Sequence, residues 1–156
     1  MVRLRSPHVG NGVKAAALRF LKIRPRSIAE MKEKLKVKGF SSAEIESTVV
    51  DLMASGLLDD RAFTKNWINY RLARPFGFRR IIQELKDKGI GQEMIRQAMA
   101  GLKGHYDPEN VALELAQRRW ERLPAVDPEK NRRKVLDFLL RRGFEEDIVM
   151  KVLKRL

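Results

Sequence analysis

The sequence predicts an all-α protein: three tandem three-helix repeats forming an elongated, curved array. The first observation behind this is a glycine-centred pattern that occurs three times, around Gly39, Gly89 and Gly143. Four residues before each glycine stand Leu35, Leu85 and Leu139, and eight before it stand Met31, Ile81 and Val135. Immediately after it come Phe40, Ile90 and Phe144, with Ile45, Ile95 and Val149 at six and Leu52, Leu102 and Leu156 at thirteen. The second observation is the period: residues at minus eight and minus four share one helix face, as do those at plus six, ten and thirteen. The third is that the 156 residues offer no credible strand-like alternation of apolar and polar positions.

Each element has a local reason. In the first copy, Val13, Ala17, Phe20 and Leu21 form the apolar stripe of an opening helix. Ser27 with Glu30 reads as a capping box starting the middle helix, and Ser41 with Glu44 as another starting the third. The glycine between them is expected to take a positive φ where the middle helix stops. The second copy opens with Asp59 or Asp60 as cap and Phe63, Trp67 and Tyr70 as stripe. The third opens at Asp107-Pro108 with Val111, Leu115 and Trp120, and Asp127-Pro128 starts its middle helix. The first two copies share Arg24-Pro25 and Arg74-Pro75, fifty residues apart, whereas the third is offset by fifty-four. A triplet of helices is too small to bury its own face well, so neighbours should stack. The expected divisions are a flexible basic arm over 1–11 and repeats over 12–56, 57–104 and 105–156.

Charge narrows the function. Thirty-three Lys and Arg against 20 Asp and Glu give a net charge of +13, which favours self-repelling monomers and attraction to polyanions. Nucleic acid, a phosphate-rich assembly, an acidic protein groove and an anionic membrane all fit that balance. The charge is segregated: residues 1–38 carry net +9, residues 39–59 net −4, and residues 60–90 net +5. There are no cysteines, which removes disulfides, thiolate nucleophiles and cysteine-rich zinc sites. No apolar run approaches the roughly 18–20 residues of a membrane span. The chain therefore reads as a cytoplasmic protein without a membrane partner.

Few constellations suggest catalysis. Adjacent Asp59 and Asp60 could hold magnesium with further oxygen ligands, but a helix cap is needed there and no third acid belongs to the motif. Gly10-Asn11-Gly12 loosely imitates a dinucleotide-binding turn, yet nothing before it reads as the required strand. His8 and His105 are isolated in sequence, and no phosphate-cradling lysine loop exists. No cofactor is expected. Basic clusters are more promising: Arg24 and Arg26, Lys32 and Lys36, Arg71 and Arg74, Arg79 and Arg80, Arg118 and Arg119, Arg132 and Arg133. Any one could be a solvated helix face; together they make a candidate binding surface. Trp67 and Trp120 could stack on bases, but their place in the apolar stripes favours core packing.

Leu57-Leu58-Asp59-Asp60 followed by Phe63, then Gly77, Arg80, Ile81, Glu84-Leu85 and Lys88-Gly89-Ile90, resembles the signature of the RecX family. Arg24, Ser27, Met31, Leu35 and Gly39 resemble that family's first repeat, and Phe138 to Phe144 its third. The order, spacing and threefold repetition carry the resemblance, over roughly residues 13–156. Small departures are Met31, where leucine is usual, and Pro75-Phe76 in a turn that is often smaller and more polar. The resemblance implies a non-enzymatic regulator that lodges along RecA filaments on DNA. It would inhibit strand exchange and ATP hydrolysis by RecA and favour filament disassembly. The implied partners are the RecA filament and single- or double-stranded DNA, the latter contacted through phosphates. A rival reading is an autonomous DNA-binding protein using the helix–glycine–helix connections as helix-turn-helix units. Against it, the third helices carry mostly acidic or neutral residues, such as Glu44, Glu46 and Asp51.

Overall fold

The computed structural model describes residues 9–102 and 104–156. Among the described residues it contains nine α-helices and no strand. They are α1 (Val9–Ile23), α2 (Ile28–Val37), α3 (Ser42–Ala54), α4 (Asp60–Leu72), α5 (Phe78–Asp87), α6 (Gln92–Ala100), α7 (Pro108–Trp120), α8 (Pro128–Arg141) and α9 (Glu146–Leu153). Helix α1 begins at Val9, inside the span expected to be an arm; residues 1–8 of that span, with the imitation of a dinucleotide turn's approach and His8, lie outside the described residues.

The start and stop signals behave as their chemistry requires. Both serine capping boxes form: Ser27 with Glu30 opens α2, and Ser41 with Glu44 opens α3. Asp59 caps α4, its carboxylate accepting from the Arg61 and Ala62 amides, which leaves Asp60 free for another task. Asp107 and Asp127 cap α7 and α8, each with proline in the first turn. Gly39, Gly89 and Gly143 have φ of +87°, +74° and +84°. At all three turns the amide three residues past the helix reaches back five residues: Phe40 to Leu35, Ile90 to Leu85 and Phe144 to Leu139. That reversal satisfies a helix-end carbonyl and seats the following apolar residue against the last turn. It explains why leucine before and an apolar residue after the glycine recur together.

Each triplet has its own core. Val13, Ala16, Ala17, Met31, Leu35, Ile45, Val49, Leu52 and Leu58 make the first; Leu58 lies just past the boundary expected at 56. Phe63, Ile68, Ile81, Leu85, Ile90 and Ile95 make the second. Ala112, Leu113, Ala116, Val135, Leu139, Phe144, Val149, Val152 and Leu153 make the third. Two stripes differ from expectation. In α7 the deepest residues are Ala112, Leu113 and Ala116, with Val111, Leu115 and Trp120 at the core's margin. In α4 the buried face runs through Phe63, Thr64 and Ile68, so Tyr70, most of half a turn round from Ile68, is 48% exposed.

The triplets join end to end through their middle helices. The amides of Gly77 and Arg79, at the start of α5, donate to the carbonyls of Arg142 and Gly143 at the end of α8, at 2.9 and 3.1 Å. At the corresponding place fifty residues earlier, Ser27 at the start of α2 donates its hydroxyl to Lys88 O at the end of α5, at 2.5 Å. Helices α8, α5 and α2 thus run head to tail, the positive end of one on the negative end of the next. Both joints need glycine. A Cβ on Gly77 would overlap the Gly143 carbonyl, and one on Gly89 would overlap the Ala29 side chain. At Gly39, where the same turn ends the array, nothing lies within 4 Å.

Candidate binding face

The first joint is electrostatic and is built around Glu30. That carboxylate accepts from Arg24 at 2.8 and 3.1 Å, from the Ser27 amide at 3.2 Å and from Lys88 of the second triplet at 3.1 Å. Burial alone would raise its pKa; the bonds from Arg24, Ser27 and Lys88 outweigh that and hold it at about 2. Asp60, released from capping, accepts from the Ile28 amide across the same joint at 2.8 Å. Its own pKa is raised, first by burial, against that bond, with help from nearby Asp59 and Glu30. Arg26 turns inward: it is buried over the Phe20 ring at 5.5 Å, its Nε has no hydrogen-bond partner, and burial lowers its pKa.

The second joint is made of backbone and aromatic contacts. Arg142 donates to Pro75 O at 3.2 Å, Arg80 to Arg141 O at 3.4 Å, and the Tyr106 hydroxyl to Phe76 O at 3.1 Å. Phe76 is its hub, with the guanidinium carbons of Arg71, Arg80 and Arg142 at 5.1, 4.8 and 5.2 Å from the ring centre.

From the edge of the first joint and across the second runs a ladder of cations interleaved with rings. Lys88 lies 4.1 Å over Trp67, and Arg71 lies 4.9 Å over the same ring before reaching Phe76. Arg142 continues from Phe76 to Phe138 at 5.1 Å, where Arg119 follows at 5.7 Å. Arg74 covers Tyr70 at 4.3 Å. Glu84 anchors the centre: it pairs with Arg71 Nε at 2.6 Å, by charge rather than a well-aligned hydrogen bond, with Arg80 at 3.2 Å, and accepts from Trp67 Nε1 at 3.1 Å. Lys88 and Arg71 are mostly buried and already paired, whereas the exposed guanidinium groups of Arg74, Arg80 and Arg119 keep outer edges available to phosphate or carboxylate.

The ladder gathers Arg71, Arg74, Arg80 and Arg119 of the expected surface, and Arg24 stands beside it, paired with Glu30 at the first joint. It does not gather the rest. Lys32 pairs with Glu46 of α3 at 2.8 Å, and Arg118 lies 3.9 Å from Glu114 in a loose exposed pair. Lys36, Arg79, Arg132 and Arg133 are exposed and take no part in the described side-chain contacts. Sequence reading missed Lys88, Arg142, Phe76 and Phe138 as parts of this face. One signal was present: Lys38, Lys88 and Arg142 each stand immediately before a repeat glycine. Among the described residues no group of three His, Asp or Glu is placed to hold a metal, and no helix is long and apolar enough to cross a membrane.

Comparison with known proteins gives a consistent picture. Three family models match consecutive stretches: the first three-helix domain of RecX over residues 14–52, the second over 59–99 and the third over 107–153. A regulatory protein RecX of Legionella pneumophila (strain Corby) is 33% identical over 142 residues, covering 89% of this chain and 91% of its own. One from Pelodictyon phaeoclathratiforme is 32% identical over 146 residues, covering 93% and 89%. The crystal structure of RecX from Lactobacillus salivarius superposes with a TM-score of 0.80 at 21% identity, over 97% of this chain and 98% of that one. That likeness concerns the fold.

Proposed function

The chain belongs to the RecX family, and from that premise we propose that it regulates the RecA recombinase by binding RecA–DNA filaments. It restrains strand exchange and ATP hydrolysis by RecA and favours filament disassembly. It acts without catalysis of its own, as a cytoplasmic monomer. The observation that carries this reading is the ladder of stacked cations from Lys88 to Arg119, which crosses the second joint and meets the first through the Lys88 pair with Glu30. A binding face that continues from one unit to the next suits an extended, repeating target better than a single short site. Its cations suit DNA phosphates and acidic side chains of RecA alike, and phosphate contacts would be sequence-independent.

The rival helix-turn-helix reading has a specific observation against it. A recognition helix presents its N-terminal turn to base edges. Here the corresponding helices carry Glu44, Glu93, and Glu146 with Asp147 in that turn, which DNA would repel. The direct test is RecA's DNA-dependent ATP hydrolysis. Saturating protein should suppress it, with no ATP turnover by the protein alone. Undiminished RecA turnover would contradict the proposal.

A further inference from the structure

The opening helix of the second triplet carries three rings where those of the first and third carry one each, Phe20 and Trp120, and the repeat itself supplies the control. Fifty residues before Phe63, Trp67 and Tyr70 stand Val13, Ala17 and Phe20. Val13 and Ala17 close the first core with 1% and 0% exposure, so packing at these positions is satisfied by small aliphatic side chains. In the third triplet, eight residues after its aspartate cap, Leu115 serves where Trp67 stands eight after Asp59. The row of rings leads outward from buried Phe63 through partly buried Trp67 to the surface. Phe63 and Trp67 stack at 6.0 Å and 14°, Tyr70 follows Trp67 at 6.0 Å, and Tyr70 is 48% exposed.

These rings border a cleft of about 500 Å³ at the first joint, closed on the other side by Arg24 and Pro25. The cations within it are already paired: Arg24 and Lys88 with Glu30, Arg71 with Glu84. A carboxylate entering the cleft would gain little from them. What they present is flat: guanidinium planes and ring faces. The free charge is at the mouth, where exposed Arg74 lies over Tyr70 and hydrogen-bonds its hydroxyl. Flat faces inside and a free cation outside match one planar base with its phosphate. A duplex keeps its base faces inside the stack and offers only edges, so the base must come from a single strand.

We propose that the cleft between the first and second triplets, walled by Trp67, Tyr70, Arg24 and Arg71, is a subsite for one unstacked base of single-stranded nucleic acid. The base lies against Tyr70 and the Trp67 edge, and Arg74 swings from the ring to hold the adjoining phosphate. This deepens the DNA contact of the proposed function and rests on it. Duplex and phosphate contacts elsewhere on the ladder do not depend on it.

The test uses the full chain with two probes of equal length and charge: a single-stranded oligothymidylate and an abasic strand with the same phosphates. Tyr70→Ala should weaken oligothymidylate binding about tenfold, as expected for one lost stacking contact. It should leave the abasic strand's affinity unchanged, and Tyr70→Phe should bind both like the unaltered protein. Because Tyr70 lies outside the core, helix content should be kept. Oligothymidylate should quench tryptophan emission, and Trp67→Phe should abolish that quenching. Equal binding of the two strands by the unaltered protein would overturn the subsite while leaving phosphate contact intact. Binding of neither strand would remove the DNA contact as well. Quenching by an acidic, phenylalanine-containing peptide but not by oligothymidylate would overturn the proposal in favour of a peptide groove.

Discussion

Glu30 shows how much one carboxylate can be made to hold. It completes a capping box for α2 and, through Lys88, ties the first triplet to the second. In the folded chain its pKa is about 2 against 4.5 for a free carboxyl. A lowered folded value means that the unfolded chain takes up the proton first on acidification. The stabilisation is therefore complete above about 4.5 and is lost as pH falls toward 2. Asp60 acts in the opposite sense: its raised value means protonation favours the folded chain and offsets part of that loss. Glu30→Gln should cost about 1.5–3 kcal/mol at neutral pH, since it removes hydrogen bonds to a charged group. It should also flatten the decline of stability below pH 4.5, read from urea midpoints across pH. Parallel declines in the two proteins would mean that Glu30 does not govern acid sensitivity. The glycines give a paired experiment. Gly77→Ala drives a Cβ into backbone that cannot yield and should cost about 1–3 kcal/mol, exposing the Arg79 amide to hydrogen exchange. Gly39→Ala meets no neighbour, so it should cost only the left-handed backbone penalty of about 1–2 kcal/mol, with the Arg79 amide still protected.

Among the elements, α5 is the one on which the others depend, because it is the middle of the head-to-tail line α8, α5, α2. Leu35, Leu85 and Leu139 are equally buried, at 0% exposure, in three separate cores. Truncation of each to alanine should cost about 2–5 kcal/mol. Leu85→Ala alone should also loosen both joints, so hydrogen exchange should quicken at the Ile28 amide and the Arg79 amide together. Faster exchange confined to α4–α6 would show the joints to be independent of that core. The three leucines, the glycine turns and the aspartate and serine caps were legible in the sequence because each is a local device whose partner lies within a few residues. The joints were not. Asp60 bonds Ile28 thirty-two residues away, and Ser27 reaches Lys88 across sixty-one. Nothing in a helical period announces either contact. Tyr70 was misplaced for a related reason: a stripe read by spacing alone admits two neighbouring faces, and packing of Ile68 chose between them. The ladder's missing members, Lys88 and Arg142, stand in plain repeat positions, but their rings belong to other elements.

For the whole molecule, a net charge of +13 arranged over three articulated units makes attraction to polyanions certain to be salt-dependent, whichever partner is bound. Salt sensitivity therefore discriminates nothing. A local charge reversal discriminates better. Arg119 is the exposed end of the ladder, so Arg119→Glu should weaken filament and DNA binding while leaving helix content intact. Unchanged affinity at moderate salt would make that position a solvated face. The reading that the ladder serves a filament, and not bare DNA, is tested most directly by the ratio of two affinities at one fixed salt concentration. One is for RecA–DNA filaments and the other for the same DNA without RecA. A protein contacting both components should favour the filament by at least about tenfold, or roughly 1.4 kcal/mol. Tighter binding to the bare DNA would contradict the account.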